Sequence, residues 1–298
     1  AHAVEGPGRG QYAGAVALVQ QLDAAVVEER AQAQQRIAWI ERFAQVMSAG
    51  DADDFVKLFA QDSYWKDMLA FSWAFPTYAG REEIGRAFAS SWEATGPSMI
   101  RLAANRTAPR FRKRGGKEVL EGYFDFKTKD GTGTGFVRLL GNKSHPFDPS
   151  IWLLLTTLQE LKGHEESIGG RRPTGDEFAK NATAGNWQDK RLREKEFADR
   201  DPEVLIVGAG HSGLSLAARL RHMGIDALVI EKAPRIGDVW RGRYHSLTLH
   251  NQVFANHMPY MPFPDTWHVW LPKDKLAGWL EAYAEALELN VWVGTELV

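Results

Sequence analysis

Cysteine is absent from all 298 residues. The chain therefore forms no disulfide, no thiolate metal site and no redox-active dithiol, and nothing marks it for an oxidising compartment. An excess of charge of either sign is missing too: a net charge of −2 at pH 7 leaves no field to gather nucleic acid or an anionic membrane. No apolar run approaches the ~20 residues of a membrane span. The opening Ala1-His2-Ala3-Val4-Glu5-Gly6-Pro7-Gly8 has no basic region followed by an apolar one. These absences lead us to expect a soluble, cytoplasmic protein with neither nucleic acid nor membrane as partner. An initiator Met is also lacking, and the chain stops inside what reads as a domain. It is read as part of a longer protein.

What is present is ordinary globular composition, 44% hydrophobic and 25% charged, in a chain long enough for two cores. A helical extension is expected over residues 1–35. Residues 36–162 read as an α+β domain. Apolar spacing at Ile37, Ile40, Phe43 and Met47 suits an amphipathic helix. Gly50-Asp51-Ala52-Asp53 supplies a stop and an N-cap before a short helix from Asp54 to Ala60. A dense aromatic stretch, Tyr64 to Tyr78, leads to a second helix from Glu82 to Trp92. Alternating β-branched runs follow from Arg101 to Leu161, broken by Arg114-Gly115-Gly116-Lys117, Asp130-Gly131 and Gly141-Asn142, and predict antiparallel strands. Residues 163–201 show no periodicity and carry Gly169-Gly170 and Arg171-Arg172-Pro173, which reads as a linker with a short helix at Trp187–Phe197. Residues 202–298 open as strand, glycine turn, helix, strand, the start of a parallel α/β sheet.

That last segment carries the chemistry. Val204-Leu205-Ile206-Val207 feeds Gly208-Ala209-Gly210-His211-Ser212-Gly213 and then a helical stretch. Gly208 permits the tight turn, Gly210 lets backbone approach a pyrophosphate, and Gly213 lets the helix pack on the strand. The helix N-terminus presents free N–H groups and a positive dipole end. A second strand, Ala227 to Ile230, ends in Glu231, 18 positions after Gly213. A carboxylate there accepts hydrogen bonds from ribose hydroxyls. Strand, motif, helix, strand and acid together predict a bound adenine dinucleotide.

Beyond Glu231 come Gly237-Asp238-Val239-Trp240, Tyr244-His245-Ser246-Leu247-Thr248-Leu249-His250 and Pro262-Phe263-Pro264. In this order they resemble the flavin-containing monooxygenase family, including plant indole-3-pyruvate monooxygenases and, more distantly, Baeyer–Villiger monooxygenases. The resemblance covers about residues 203–298, with Asp238 where a second glycine is common. It implies a Rossmann-type FAD domain, incomplete here. Gly208, Gly210 and Gly213 would lie on the pyrophosphate, Glu231 on the ribose, and Gly237 with Trp240 beside the flavin half. His250 would approach the reactive edge of the isoalloxazine. The implied reaction has NADPH reduce FAD, O2 add at flavin C4a, and the peroxide deliver one oxygen to a small organic substrate. A second glycine motif for NADPH does not follow Gly213, so that site is expected beyond residue 298 and turnover is not expected of this chain alone. Two alternatives stand beside this reading: an FAD oxidase without NADPH, and a non-catalytic binding or dimerisation protein with a vestigial nucleotide fold. Disulfide reductases are disfavoured, because the required cysteine pair is missing.

His245, His250, His257 and His268 lack the spacing of metal ligands, and no metal is expected. Trp267, Trp270, Trp279 and Trp292 are expected in the core. Residues from about Arg36 to Lys162 resemble the nuclear transport factor 2-like, or SnoaL-like, α+β cone, on Gly50-Asp51, Leu58 to Trp65 and Thr77-Tyr78-Ala79-Gly80-Arg81. That fold allows a homodimer through this domain and a pocket. Asp62, Trp65, Asp67 and His145 are candidates to line it, with packing or surface placement the plainer expectation for each. No catalysis is assigned to them.

Overall fold

The computed structural model describes residues 38–141, 149–176 and 185–298. The chain divides into two compact units, Ala1–Gly163 and His164–Val298. The expected helical extension over 1–35 and the candidate His145 lie outside the described residues. Among the described residues, no helix is long and apolar enough to cross a membrane.

In the first unit, helix α1 (residues 38–49) buries Trp39, Ile40, Phe43 and Met47 along one stripe. It stops at Gly50, whose φ of +79° suits glycine, and where a Cβ would come within 2.4 Å of the Trp92 ring. Asp51 then caps α2 (Ala52–Lys57), its Oδ1 accepting from Asp54 N at 3.0 Å. This helix ends three residues earlier than its spacing suggests, because strand β1 (Phe59–Met68) begins at once. Along β1 alternate residues Ser63, Trp65 and Asp67 are buried, a period of two that the aromatic density of the stretch hides. Strand β2 (Thr77–Ala79) returns antiparallel to β1, and α3 (Gly80–Thr95) follows.

Strands β3 (Ser98–Leu102), β4 (Arg110–Arg114), β5 (Lys117–Lys127), β6 (Gly131–Leu140) and β7 (Ser150–Leu161) complete a seven-stranded sheet. Its order is β2-β1-β7-β6-β5-β3, with β4 also on β5. The predicted antiparallel strands are there, and β1 adds a parallel pairing with β7. On β6 the Gly133 and Gly135 positions face Phe126 and Phe124: a Cβ at either would come within 2.2 or 2.0 Å of a ring. Glycine there makes room for the aromatic core, where Phe43 meets Phe124 edge-on at 5.1 Å.

In the second unit, β8 (Val204–Val207) and β9 (Ala227–Glu231) pair in parallel on either side of α5 (His211–His222) in the chain. After α6 (Asp238–Arg241), the hairpin β10 (Thr248–Gln252) and β11 (Trp270–Pro272) leads into α7 (Lys273–Ala286), and β12 (Val291–Val293) pairs with β9. The order β12-β9-β8 is a parallel Rossmann-type sheet. Leu214, Ala217 and Ala218 of α5 pack with Leu280, Tyr283 and Ala284 of α7 in its core. Of the segment read as a linker, Gly163 closes the first unit, the described residues from His164 on belong to the second, and α4 (Trp187–Glu196) is fastened there by side-chain hydrogen bonds. Absence of periodicity misleads here because the contacts are polar and long-range rather than an apolar stripe.

Candidate dinucleotide-binding site

The site grows from the turn between β8 and α5. Gly208 donates its N–H to Ile230 O at 2.7 Å and has φ +103°, a conformation that needs glycine. Gly210 is the N-cap of α5 in extended backbone. The first N–H groups of the helix have no intrahelical acceptor and point into the turn. A Cβ at Gly208 or Gly210 would meet nothing within 4 Å, whereas one at Gly213 would lie 2.0 Å from Gly208 O. The three glycines thus divide: two leave open space at the helix mouth, and the third lets helix and turn touch.

Glu231 ends β9 beside this turn. Its Oε2 accepts from Ala209 N at 2.8 Å and its Oε1 from Ala233 N at 2.9 Å. Two backbone donors fix the carboxylate, and each oxygen keeps a second lone pair for a ligand.

Gly237 (φ +86°) is the N-cap of α6, where a Cβ would come within 2.6 Å of Ala277 O on α7. It is a close-packing glycine that seats α6. Asp238 stands in the helix itself, where no glycine is required, and accepts from Arg241 Nη1 at 2.9 Å. Trp240 on α6 meets the His211 ring edge-on at 5.7 Å. Around this pair opens a hollow of about 360 Å³ lined by His211, Trp240, Leu247, Thr248, Leu249, His250, Asn251 and Asn256. Burial holds the His211 imidazole below its ordinary pKa, so it is neutral near pH 7.

Gly208, Gly210, Gly213 and Glu231 therefore assemble at one turn, and Trp240 and His250 share the neighbouring hollow. Gly237 supports that wall from behind. Sequence reading missed His211, Asn251 and Asn256. His211 lay inside the glycine motif as an unassigned position, and the two Asn give no local signal.

The remaining candidates disperse. His257 Nδ1 accepts from Phe263 N at 3.0 Å and shapes the Pro-Phe-Pro turn. Among the described residues no group of three His, Cys, Asp or Glu could hold a metal. Trp267 and Trp279 pack with buried Phe263, as expected of core residues. Trp270 and Trp292 do not, being 49% and 38% exposed: Trp270 sits on a two-stranded hairpin and Trp292 at the sheet margin. In the first unit, Trp65 and Asp67 are fully buried and meet through Thr156. Trp65 Nε1 donates to Thr156 Oγ1 at 2.9 Å, which donates to Asp67 Oδ1 at 2.6 Å. Asp67 Oδ2 accepts from Phe71 N, Ser72 N and Ser72 Oγ, so this carboxylate is a satisfied core anchor. Asp62 is exposed, 3.9 Å from Lys117.

Residues 206–270 match the family model described as an NAD(P)-binding Rossmann-like domain. A CzcO-like oxidoreductase of Geobacillus kaustophilus is 35% identical over 96 residues, 32% of this chain and 28% of that protein. The indole-3-pyruvate monooxygenase YUCCA1 of Oryza sativa subsp. japonica is 40% identical over 86 residues, 28% of this chain and 21% of that protein. The chain thus spans less than a third of the length of either relative. A solved NTF2-like protein with a cystatin-like fold from Novosphingobium aromaticivorans is 13% identical, with 46% of this chain and 88% of that one covered at a TM-score of 0.32. Glycine turn, anchored acid and family match coincide on residues 206–270, which are similar in sequence to the NAD(P)-binding Rossmann-like family and to segments of these two proteins.

Proposed function

We propose that this chain supplies the FAD-binding part of a flavin-dependent monooxygenase that uses NADPH and O2 to place one oxygen atom on a small organic substrate. The observation that carries the reading is the helix mouth between β8 and α5. Its Gly208 and Gly210 leave the approach open, and Glu231 is already held in place by two backbone donors. The N–H groups at the start of α5 would receive the pyrophosphate, and Glu231 the ribose hydroxyls. FAD rather than NAD is favoured by the elements after β9. Instead of a plain crossover helix, α6 and the β10–β11 hairpin bring Trp240 and Thr248 to Asn251 up to His211, walling a hollow that continues the site. Similarity to indole-3-pyruvate monooxygenases supports the same choice.

FAD, when bound, would supply the redox chemistry that couples NADPH oxidation to O2. The chain's residues bind and orient it. Trp240, Leu247 and Leu249 present apolar surface that limits water in the hollow, and His250 is assigned to the reactive edge of the flavin. The test is purification of the natural full-length protein, with its visible spectrum and with NADPH and O2 consumption against an amine, a sulfide and a ketone. Yellow protein whose NADPH oxidation is coupled to product supports the reading. Protein that neither retains nor takes up FAD overturns it.

A further inference from the structure

Glu166 stands outside the segment matched to the family model, near the start of a stretch without periodicity, yet it is one of three buried carboxylates among the described residues, with Asp67 and Glu121. Its Oε1 accepts from Arg219 Nη1 at 2.5 Å and from the Tyr260 hydroxyl at 2.6 Å. Next to it Ser167 N donates to His222 O at 2.6 Å. The His222 ring meets Tyr260 edge-on at 4.4 Å, and the Arg219 guanidinium lies over the Tyr260 ring at 5.2 Å. Burial works against the Glu166 charge, but the hydrogen bonds from Tyr260 and Arg219 and the Arg219 charge outweigh it and hold the carboxyl below its usual range.

The two partners belong to the two elements that frame the hollow. Arg219 and His222 lie in the last turn of α5, whose first residue, His211, lines it. Tyr260 belongs to the chain between β10 and β11, which brings Asn256 into the lining. Tyr260 has φ +65°, left-handed backbone that a residue with a Cβ holds only when its surroundings over-determine it. Glu166, the His222 ring and the Arg219 guanidinium are those surroundings.

We infer that Glu166 is a positioning residue for the dinucleotide: by gripping Arg219 and Tyr260 together it ties the far end of α5 to the loop that carries Asn256. The inference rests on the dinucleotide reading of that hollow. A second fastening, at α4, serves as its contrast. There Arg191 is buried and donates to Asn290 Oδ1 at 3.0 Å and to Glu288 O, and Trp187 Nε1 donates to Glu288 Oε1 at 2.6 Å. These partners lie between the end of α7 and the start of β12, and none lines the hollow.

The experiment titrates FAD into the 298-residue chain, following flavin fluorescence, for wild type, Glu166→Ala, Glu166→Gln, Tyr260→Phe, the Glu166→Ala/Tyr260→Phe pair, and Arg191→Met. Glu166→Ala is expected to weaken FAD binding roughly three- to thirtyfold, the range for changes along a packed network. Glu166→Gln, which keeps an acceptor for Tyr260, recovers part of the loss. The double variant is no weaker than Glu166→Ala alone, because both act through one contact. Amide exchange quickens at residues 256–263 in Glu166→Ala while β8 and β9 stay protected. Arg191→Met, or, if that chain does not fold, Trp292→Phe, which removes the hydrogen bond from Trp292 Nε1 to Lys195 O of α4 at 2.7 Å, lowers the melting temperature and leaves FAD affinity within about twofold. Glu166→Ala with wild-type affinity overturns the inference alone, as does a stability variant that weakens FAD equally. A wild-type chain that takes up no FAD overturns the dinucleotide reading and this one with it.

Discussion

Gly213 and Gly210 lie three residues apart in one motif, and substituting alanine at each should produce opposite phenotypes. At Gly213 the new Cβ falls 2.0 Å from Gly208 O, whereas ordinary contact begins at 3.4 Å, so helix and turn must separate by about 1.4 Å. Both sides of that clash are backbone, and neither can rotate away. Overpacking of a core costs about 1–3 kcal/mol, and an unyielding backbone contact belongs at the upper end. The gain in helix propensity, about 1 kcal/mol or less, offsets little of it. For a unit of this size ~3 kcal/mol lowers the melting temperature by roughly 10 °C. At Gly210 the Cβ meets nothing within 4 Å, and the extended backbone there suits alanine. The fold should lose less than about 1 kcal/mol, the scale of a weaker N-cap. The same methyl group stands where the pyrophosphate must approach, so FAD affinity should fall at least about tenfold, 1.4 kcal/mol. Calorimetry of the ligand-free chain and FAD titration separate the two effects. Equal melting losses in the two variants, or wild-type FAD affinity in Gly210→Ala, would refute the division of the glycines into packing and access.

Other expectations concern the anchored carboxylates and a half-buried imidazole. Glu231→Ala removes the acceptor for Ala209 N and Ala233 N and should cost about 1–3 kcal/mol in urea unfolding, besides weakening FAD. Asp67→Ala strips four hydrogen bonds from the core of the first unit; its stability should drop by about 2–4 kcal/mol while FAD binding is unchanged. Burial depresses the His211 pKa from 6.5, so the neutral imidazole is tolerated without cost above about pH 6.5, and stability is lost as pH falls through that value toward the depressed one. His211→Phe should flatten that acid-side decline in the urea midpoint, and an unaltered slope would count against a half-buried neutral imidazole. Glu166, held below the usual carboxyl range, contributes stability that disappears only at lower pH, and Glu166→Gln should remove that deeper decline.

Much of the site was legible in the sequence because its signals are local. The tight turn, the helix behind it and the acid at the end of the next strand are set by backbone requirements that act within a few residues, and only glycine meets them at Gly208 and Gly213. The strands around Asp130-Gly131 and the stripe from Ile40 to Met47 were legible for the same reason, as periodicities of two and of nearly four. Other features had no local mark. The parallel pairing of β1 with β7 joins residues about ninety apart, and the aromatic density of β1 concealed its alternation. The resemblance implies Gly237 beside the flavin half, but its close approach to Ala277 depends on where α7 comes to rest.

By itself, then, the sequence determined that an α+β unit precedes a strand, glycine turn, helix and strand, and which glycines and acid stand at that turn. Only the tertiary structure decided that residues 164–176 and 185–200 belong to that second unit, that His211, Asn251 and Asn256 share the hollow with His250, and that Glu166 reaches Arg219 and Tyr260. The physical reason is range. Steric demands on φ and ψ are written into neighbouring residues, whereas a hydrogen bond between side chains 94 positions apart, such as Glu166 to Tyr260, leaves no trace in the sequence near either end.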